Sequence, residues 1–226
     1  MSISQNIKDI KKEIPSSVTL LAVSKTKPLE MLEEAYKVGV RDFGENKVQE
    51  LMKKQECFHD DVRWHLIGKL QTNKVKYIVG KVYLIHSLSS IKLLNQIEKE
   101  YGKQNKVANT LIQINIGREE SKSGILLEEL DSLINAVEGC KFVKVSGIMV
   151  IIPKGNEEQN RIYFNKTKKI YDSLKNNKYK NIEMKTLSMG MTHDYKIAIE
   201  EGSNLVRVGE GIFGKRDYSL GGLKNE

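Results

Sequence analysis

The chain has 226 residues, of which 39% are hydrophobic and 29% charged, and it carries a formal net charge of +8. This length supports one domain with a sizeable core or two small ones. The sequence has no apolar run near the roughly 20 residues that a transmembrane helix needs. Cys57 and Cys140 lie far apart and the histidines have no metal-ligand spacing, which argues against a disulfide framework and a zinc site. The first residues have no secretory-signal pattern, so we expect a cytoplasmic protein.

The isoelectric point near 9.2 raises the question of nucleic-acid binding. Lysine pairs at 11–12, 53–54 and 168–169 are interleaved with glutamates, and no basic block contains aromatic residues. Such spacing is typical of solvated helical faces, so nucleic-acid binding is a minor hypothesis. A basic surface can instead steer anionic small molecules toward a site.

The predicted elements begin with an N-terminal helix over 1–14, where isoleucines recur at helical spacing. Eight apolar β-type runs follow at fairly even intervals, each succeeded by a helical pattern. The runs lie at 18–23, 41–43, 64–67, 82–86, 111–116, 145–152, 184–187 and 205–208. Amphipathic helices are predicted at 29–38, 89–101, 126–137 and 160–174.

Eight strand-then-helix units without hairpin signals predict a parallel sheet buried on both faces. Eight is the count that closes a (β/α)8 barrel, and an open doubly wound sheet is the competing topology. Few prolines and no low-complexity tract interrupt the chain, so residues 1–226 are predicted to form a single domain. Residues 219–226 are expected to form a loose tail.

The first strand ends in Lys25, which is unusual because a cation at the end of a buried strand is costly unless it is used. Burial lowers the pKa of a lysine amine, and a neutral amine attacks carbonyl groups to form a Schiff base. The alternative is that Lys25 extends its stem along the strand end to reach water. In a barrel, this residue lies on the face that builds active sites.

Two glycine-rich turns follow the last two strands, at 188–192 and 209–214. Free N–H groups in such turns form a phosphate site, although glycine is also used there for steric reasons. Thr192 is predicted to cap the next helix. Arg207 is a second buried-looking cation, which either pairs with an acid inside the barrel or binds a ring nitrogen or phosphate. A reactive lysine beside a phosphate site is the minimal arrangement for pyridoxal 5′-phosphate (PLP).

Five motifs in order, at 22–25, 43–50, 64–74, 187–191 and 206–218, resemble the pyridoxal phosphate homeostasis protein family over nearly the whole chain. The resemblance implies a single barrel like the N-terminal domain of alanine racemase (PLP fold type III). It also implies a PLP-binding protein that buffers or delivers the cofactor without established catalysis. Apo PLP-enzymes are the implied partners, and we expect a monomer or weak homodimer. A PLP-dependent amino-acid racemase or lyase is the alternative.

The resemblance implies roles around the aldehyde and ring of the cofactor for five residues. It makes Lys25 the Schiff-base lysine and turns Arg207 toward the pyridine nitrogen. It places Asn46 near the ring or its 3′-hydroxyl and packs Met189 against the cofactor. Lys27 would share the side of Lys25 on an extended strand and lower the pKa of Lys25 or accept the cofactor transiently, with a solvent-facing Lys27 as the alternative.

The phosphate contacts that the resemblance implies are Ser188, Gly190 and the backbone at Gly209 and Glu210. Glu210 departs from the family pattern, which commonly has a small or hydroxyl residue there. Because a carboxylate repels phosphate, we expect its side chain to face away and the cofactor affinity to be lower. His65 is interpreted as a proton shuttle or ring contact, or else as a hydrogen-bonded structural residue.

Overall fold

A computed structural model, which describes residues 2–215, has eight parallel strands that close into a barrel in the order of the sequence. The fold prediction is therefore confirmed, and the open sheet is excluded by the pairing of β1 with β8. The strands are β1 (Thr19–Val23), β2 (Asp42–Glu45), β3 (Arg63–Leu66), β4 (Leu84–Leu88), β5 (Ala108–Ile114), β6 (Val143–Val150), β7 (Ile182–Met191) and β8 (Leu205–Val208). The predicted tail at 219–226 lies outside the described residues.

Helices follow the strands and form the outer layer. They are α1 (Ile3–Glu13), α2 (Leu29–Lys37), α3 (Val48–Glu56), α4 (Val75–Ile78), α5 (Ile91–Lys103), α6 (Leu130–Glu138), α7 (Glu157–Lys175), α8 (Tyr195–Glu200) and α9 (Glu210–Phe213). Side-chain caps fix several starts: Ser2, Ser90 and Asn156 each accept an N–H of the first turn. Within residues 2–215, no helix combines the length and apolar content that crossing a bilayer requires.

Strand β7 is longer than the sequence predicts. The apolar run stops at Leu187, but the strand extends for 10 residues to Met191. Pairing with β6 on one side and β8 on the other supplies backbone hydrogen bonds that a single strand lacks, so it overrides the weak strand propensity of Gly190. The turn that was predicted to begin at Ser188 therefore begins after Met191.

The apolar core has two parts, one outside the barrel and one inside it. The larger part lies between the strands and the helices and contains the outward-facing residues of each strand, such as Val206 and Val208. Inside the barrel, a small apolar cluster is formed by Leu84, Leu111 and Met149. Buried polar side chains, among them His65, His86, Ser188 and Arg207, occupy further positions on the strands.

Candidate functional site

A cavity of about 470 Å³ opens at the C-terminal ends of the strands. This volume lies within the range of small-molecule sites, about 300–1,000 Å³, and this face carries the active sites of such barrels. Its lining comes from several strand ends and the turns after them: Val23, Lys25, Asn46, Ile67, Gly68, Lys69, Gln113, Ser121, Lys122, Ser123, Ile151, Met191, Thr192, His193, Arg207, Gly209 and Glu210.

The charged side chains of the cavity lining are mostly cationic. Lys25, Lys69, Lys122 and Arg207 contribute positive charge, against the carboxylate of Glu210, and Lys122 is paired with Glu119. In a concave site with low-dielectric walls, such an excess raises the local concentration of anions. The cavity is therefore suited to a small anionic ligand.

Lys25 lies in a tight turn just after β1. The turn is closed by the N–H of Lys27, which donates to the Ser24 carbonyl at 3.0 Å. Thr26 has a φ of 63°, in the left-handed region that β-branched residues rarely adopt. Such strain persists only where surrounding contacts hold it, and it concentrates at functional sites. Here Glu50 on α3 accepts the Thr26 N–H at 2.5 Å.

A buried ion pair holds the other side of the Lys25 turn. Lys54 on α3 is 7% exposed, and its ammonium donates to Glu45 at 2.7 Å, to Glu50 at 2.8 Å and to the Ser24 carbonyl at 2.8 Å. Glu45 also accepts the Ser24 hydroxyl at 2.6 Å. Ser24 thus contacts the buried Lys54 directly, and Thr26 is linked to it through Glu50. Sequence reasoning missed Lys54 because lysine pairs usually mark exposed helical faces.

Burial is the largest influence on the pKa of the Glu45 carboxyl. It raises the pKa of this carboxyl to about 7, although the Lys54 ammonium opposes the rise. Among the described residues, the second oxygen of Glu45 has no hydrogen-bond partner. Desolvation of that oxygen outweighs the attraction of one cation, as is common for buried carboxylates.

The prediction that Lys27 shares the side of Lys25 is wrong. The strand ends at Val23, and the turn redirects the chain before Lys27. The Lys27 ammonium donates to three carbonyls at the end of α9, those of Phe213, Gly214 and Lys215, at 3.0–3.2 Å. Lys27 therefore stabilises a helix C-terminus, where cations are favoured.

Arg207 is 4% exposed and lies on β8, which pairs with β1 beside the Lys25 turn. Its two terminal nitrogens donate to the Ser188 hydroxyl at 2.7 Å and to the Val150 carbonyl at 2.8 Å. No carboxylate of residues 2–215 lies within ion-pair distance, so the predicted alternative of an interior acid partner is wrong for the described chain. Burial lowers the pKa of this guanidinium to about 10, although the charge of Asp194 opposes the fall. Two of its five N–H groups are used, which leaves donors for a ligand.

The predicted contacts on β7 are displaced because the strand is longer than expected. Ser188 is fully buried, and its hydroxyl is bound to Arg207 and His86. Met189 belongs to the core between strands and helices rather than to the cavity. From this strand and its turn, Met191, Thr192 and His193 line the cavity.

Gly190 and Thr192 have local structural roles that the sequence did not predict. A side chain at Gly190 would lie 2.6 Å from Ala198 on α8, so the glycine permits close packing of that helix. Thr192 does not cap α8, where Asp194 occupies the cap position. Instead its hydroxyl lies 3.3 Å from the N–H of Gly211 and accepts from it. This bond connects the turn after β7 to α9.

His65 lies inside the barrel, away from the cavity lining. Its ring nitrogens bind Asp42 at 3.0 Å and His86 at 2.9 Å, so the structural interpretation of this histidine is supported over a shuttle or ring contact. Asn46 does line the cavity. A side chain at Gly68 would lie 2.3 Å from the Asn46 carbonyl, so this glycine allows the turn after β3 to pack on Asn46.

Gly209 and Glu210 both line the cavity, as the glycine-rich turn predicts. The Glu210 carboxylate lies 3.9 Å from the His193 ring, at the rim. The loop after β5 adds residues that the sequence did not single out, including Ser121 and Lys122, and Lys122 is anchored by the Ile152 carbonyl at 3.0 Å. In the sequence this polar stretch resembles an ordinary loop. Its position over the site depends on barrel closure, which the local sequence does not indicate.

Sequence comparison assigns the chain to a known group of proteins. A family model described as the N-terminal domain of alanine racemase matches residues 1–217. A pyridoxal phosphate homeostasis protein of Aquifex aeolicus is 46% identical over 201 residues, which cover 88% of this chain and 87% of that protein. The Escherichia coli K12 protein of the same name is 38% identical over 209 residues, covering 91% and 88%.

Structural comparison agrees with the sequence matches. PipY of Synechococcus elongatus without PLP superimposes with a TM-score of 0.89 at 31% identity, over 94% of this chain and 100% of that one. Its structure with PLP bound gives a TM-score of 0.86 at the same identity and coverage. Alanine racemase of Clostridium difficile shares the fold alone, at 13% identity and a TM-score of 0.81 over 95% of this chain and 57% of that one. The chain therefore belongs to the pyridoxal phosphate homeostasis protein family, built on the barrel of the alanine racemase N-terminal domain.

Proposed function

We propose that this protein binds PLP in the cavity as a Schiff base with Lys25, and that it buffers or delivers the cofactor rather than catalysing a reaction. One observation carries the proposal: Lys25 lines the same cavity as the buried guanidinium of Arg207, whose hydrogen bonds within residues 2–215 go to a hydroxyl and a carbonyl and not to a carboxylate. The names of the relatives and the PLP-bound structure of PipY support it.

The residues of the cavity fit the three functional parts of the cofactor. When bound, PLP supplies an aldehyde that condenses with an amine, together with a phosphate and a pyridine ring. Lys25 provides the amine, and the backbone of Gly209 and Glu210 provides N–H groups for the phosphate. Thr192 takes the place at the phosphate that the sequence assigned to Ser188 and Gly190.

Arg207 is assigned to the ring nitrogen, with Asn46 nearby. A guanidinium donates hydrogen bonds and does not give up its proton in proteins. The ring nitrogen therefore stays unprotonated, which weakens the ring as an electron sink. This property is compatible with holding the cofactor, and apo PLP-enzymes are the proposed recipients.

Lys25→Ala is expected to abolish covalent attachment of the cofactor. Wild-type protein mixed with PLP should show a visible absorbance band that borohydride removes, and mass spectrometry of peptides should place the reduced adduct on Lys25. The variant should show neither the band nor the adduct. A wild-type protein without any reducible band would contradict the proposal.

Lys27→Met tests the neighbouring lysine, which caps α9 in the structure. We expect the adduct to remain on Lys25 and the free energy of unfolding to fall by about 1 kcal/mol, because the carbonyls of α9 lose a charged donor. Denaturant unfolding and peptide mass spectrometry measure the two effects. If the adduct disappeared in Lys27→Met while the variant stayed folded, Lys27 would be required for attachment of the cofactor.

An amino-acid racemase or lyase is the second candidate, because the barrel is shared with alanine racemase. The rate at which the PLP-loaded protein exchanges the α-hydrogen of alanine or serine in D2O, monitored by NMR, separates the two functions. A carrier should be far slower than the turnover of about 10 s⁻¹ that is typical of enzymes. Turnover near that rate would reverse the ranking.

A further inference from the structure

A chain of buried side chains runs through the barrel from the cavity toward its opposite end. Arg207 donates to the Ser188 hydroxyl at 2.7 Å, which lies 3.2 Å from His86 Nδ1. His86 Nε2 lies 2.9 Å from His65 Nδ1, and His65 Nε2 lies 3.0 Å from Asp42. All five residues are at most 8% exposed. Their side chains form one continuous line of hydrogen bonds.

The far end of the chain is held at the base of the barrel. Asp42 stands at the start of β2 and accepts two bonds from Arg63, at 2.7 and 2.5 Å. These contacts, together with His65, hold the pKa of Asp42 at about 2 despite its burial. Asp42 is therefore a carboxylate, and Arg63 is a partner outside the chain whose side chain is 45% exposed.

Chemistry fixes the direction of every bond in the chain. The Asp42 carboxylate only accepts, so His65 carries a proton on Nε2, and as a neutral ring it accepts at Nδ1. His86 must then donate from Nε2 and accept the Ser188 hydroxyl proton at Nδ1. Burial lowers the pKa of both rings, which agrees with one proton on each. Arg207 only donates, so all the bonds point from the arginine to the carboxylate.

We propose that Ser188, His86 and His65 are positioning residues that orient Arg207 toward its ligand and connect its positive charge to the Asp42 carboxylate. A carboxylate in direct contact would compete with the ligand for the guanidinium, whereas a neutral chain leaves that face open. Polarised hydrogen bonds in a low-dielectric interior strengthen one another. The assignment of the ligand as PLP, with its ring nitrogen at Arg207, rests on the function proposed above.

The first test needs no ligand. In protein with ¹⁵N-labelled histidine, long-range NMR correlations should show both His65 and His86 as neutral rings protonated on Nε2. A proton on Nδ1 of either ring, or two protons on one ring, would overturn the directed chain. This result is independent of whether PLP binds.

The second test measures the effect on PLP labelled with ¹⁵N at its ring nitrogen. The two variants are Asp42→Asn, at a residue that three side chains separate from Arg207, and Ser188→Ala. In both we expect a shifted ring-nitrogen resonance and a dissociation constant for PLP raised about fivefold to tenfold. Arg63→Gln is the matched control, because it removes the other partner of Asp42 and leaves the chain intact. It should keep the wild-type resonance and affinity.

The outcomes separate this inference from the proposed function. If both chain variants are folded by circular dichroism and bind PLP with the wild-type resonance, the chain does not position Arg207 although the protein still binds PLP. If Arg63→Gln shifts the resonance as much as Asp42→Asn, the effect comes from the base of the barrel and the inference is also overturned. If wild type binds no PLP, the proposed function fails, and the histidine NMR still decides whether the chain exists.

Discussion

Lys54→Met is expected to lower the free energy of unfolding by about 3–5 kcal/mol at pH 8, the usual loss when one partner of a buried ion pair is removed. The Lys54 ammonium contacts two carboxylates and the Ser24 carbonyl in the interior. Methionine fills a similar volume and supplies none of these bonds. The carboxylate of Glu45, which is fully buried, would then face the interior without a cation.

The same substitution is expected to weaken PLP binding, because the Lys25 turn loses a support. Thr26 stays in its strained conformation only while neighbouring contacts hold the turn. Without Lys54, the Ser24 carbonyl and the Glu50 carboxylate lose their shared donor, and the Lys25 amine is less well oriented. We expect about a tenfold rise in the dissociation constant, as is typical when a supporting contact around a site is lost.

Lys53→Met is the matched control for this experiment, because Lys53 is the adjacent lysine on α3 and is exposed. Urea unfolding monitored by circular dichroism, and PLP titration monitored by absorbance, should show little change in this variant. Equal losses in the two variants would contradict a special role for Lys54. In the double variant Glu45→Gln/Lys54→Met, we expect a smaller loss than in Lys54→Met alone, since the unpaired charge is gone.

Raising the pH through neutrality is expected to destabilise the protein through Glu45. The pKa of this carboxyl is about 7 in the folded protein and 4.5 for an unperturbed side chain, so the folded state holds the proton more tightly. The stabilising contribution is complete below about pH 4.5 and disappears as the pH rises through about 7. A difference of this size corresponds to about 3 kcal/mol of unfolding free energy.

Glu45→Gln isolates this contribution from the other titrating groups. The amide keeps an oxygen that accepts from Ser24 and Lys54, but it does not ionise. The difference in unfolding free energy between wild type and Glu45→Gln should therefore change by about 3 kcal/mol between pH 4.5 and pH 8, in favour of the variant at high pH. A difference that stays constant across this interval would show that Glu45 titrates near its ordinary pKa in the folded protein.

The period of the hydrophobic pattern predicted the strands and helices, and the family resemblance favoured the barrel over the open sheet. Eight apolar runs separated by helical patterns correspond one to one with the eight strands, because a parallel strand buried on both faces must be apolar almost throughout. Lys25 and Arg207 were recognisable for the converse reason: a cation inside or directly after such a strand is rarely tolerated without a use. Both line the cavity.

Local sequence failed where a conformation depended on neighbours. Strand β7 continues to Met191 because strands on both sides hydrogen-bond to it, and this moves Ser188 and Met189 out of the cavity lining. Lys27 leaves the side of Lys25 because the chain turns at Thr26, a residue with no intrinsic preference for that conformation. Neither effect has a signature within a few residues of sequence.

Sequence thus predicted eight parallel strands and two unusual cations, since these follow from periodicity and from the cost of burying charge, and the family resemblance selected the barrel and its cofactor face. The supports of those cations were decided only by the tertiary structure. The hydrogen-bonded residues His86 and Ser188 are 102 residues apart in sequence, and Ser24 and Lys54 are 30 residues apart. Contacts of this kind exist only after the barrel closes, because closure brings the interior-facing side chains of separate strands within hydrogen-bond distance.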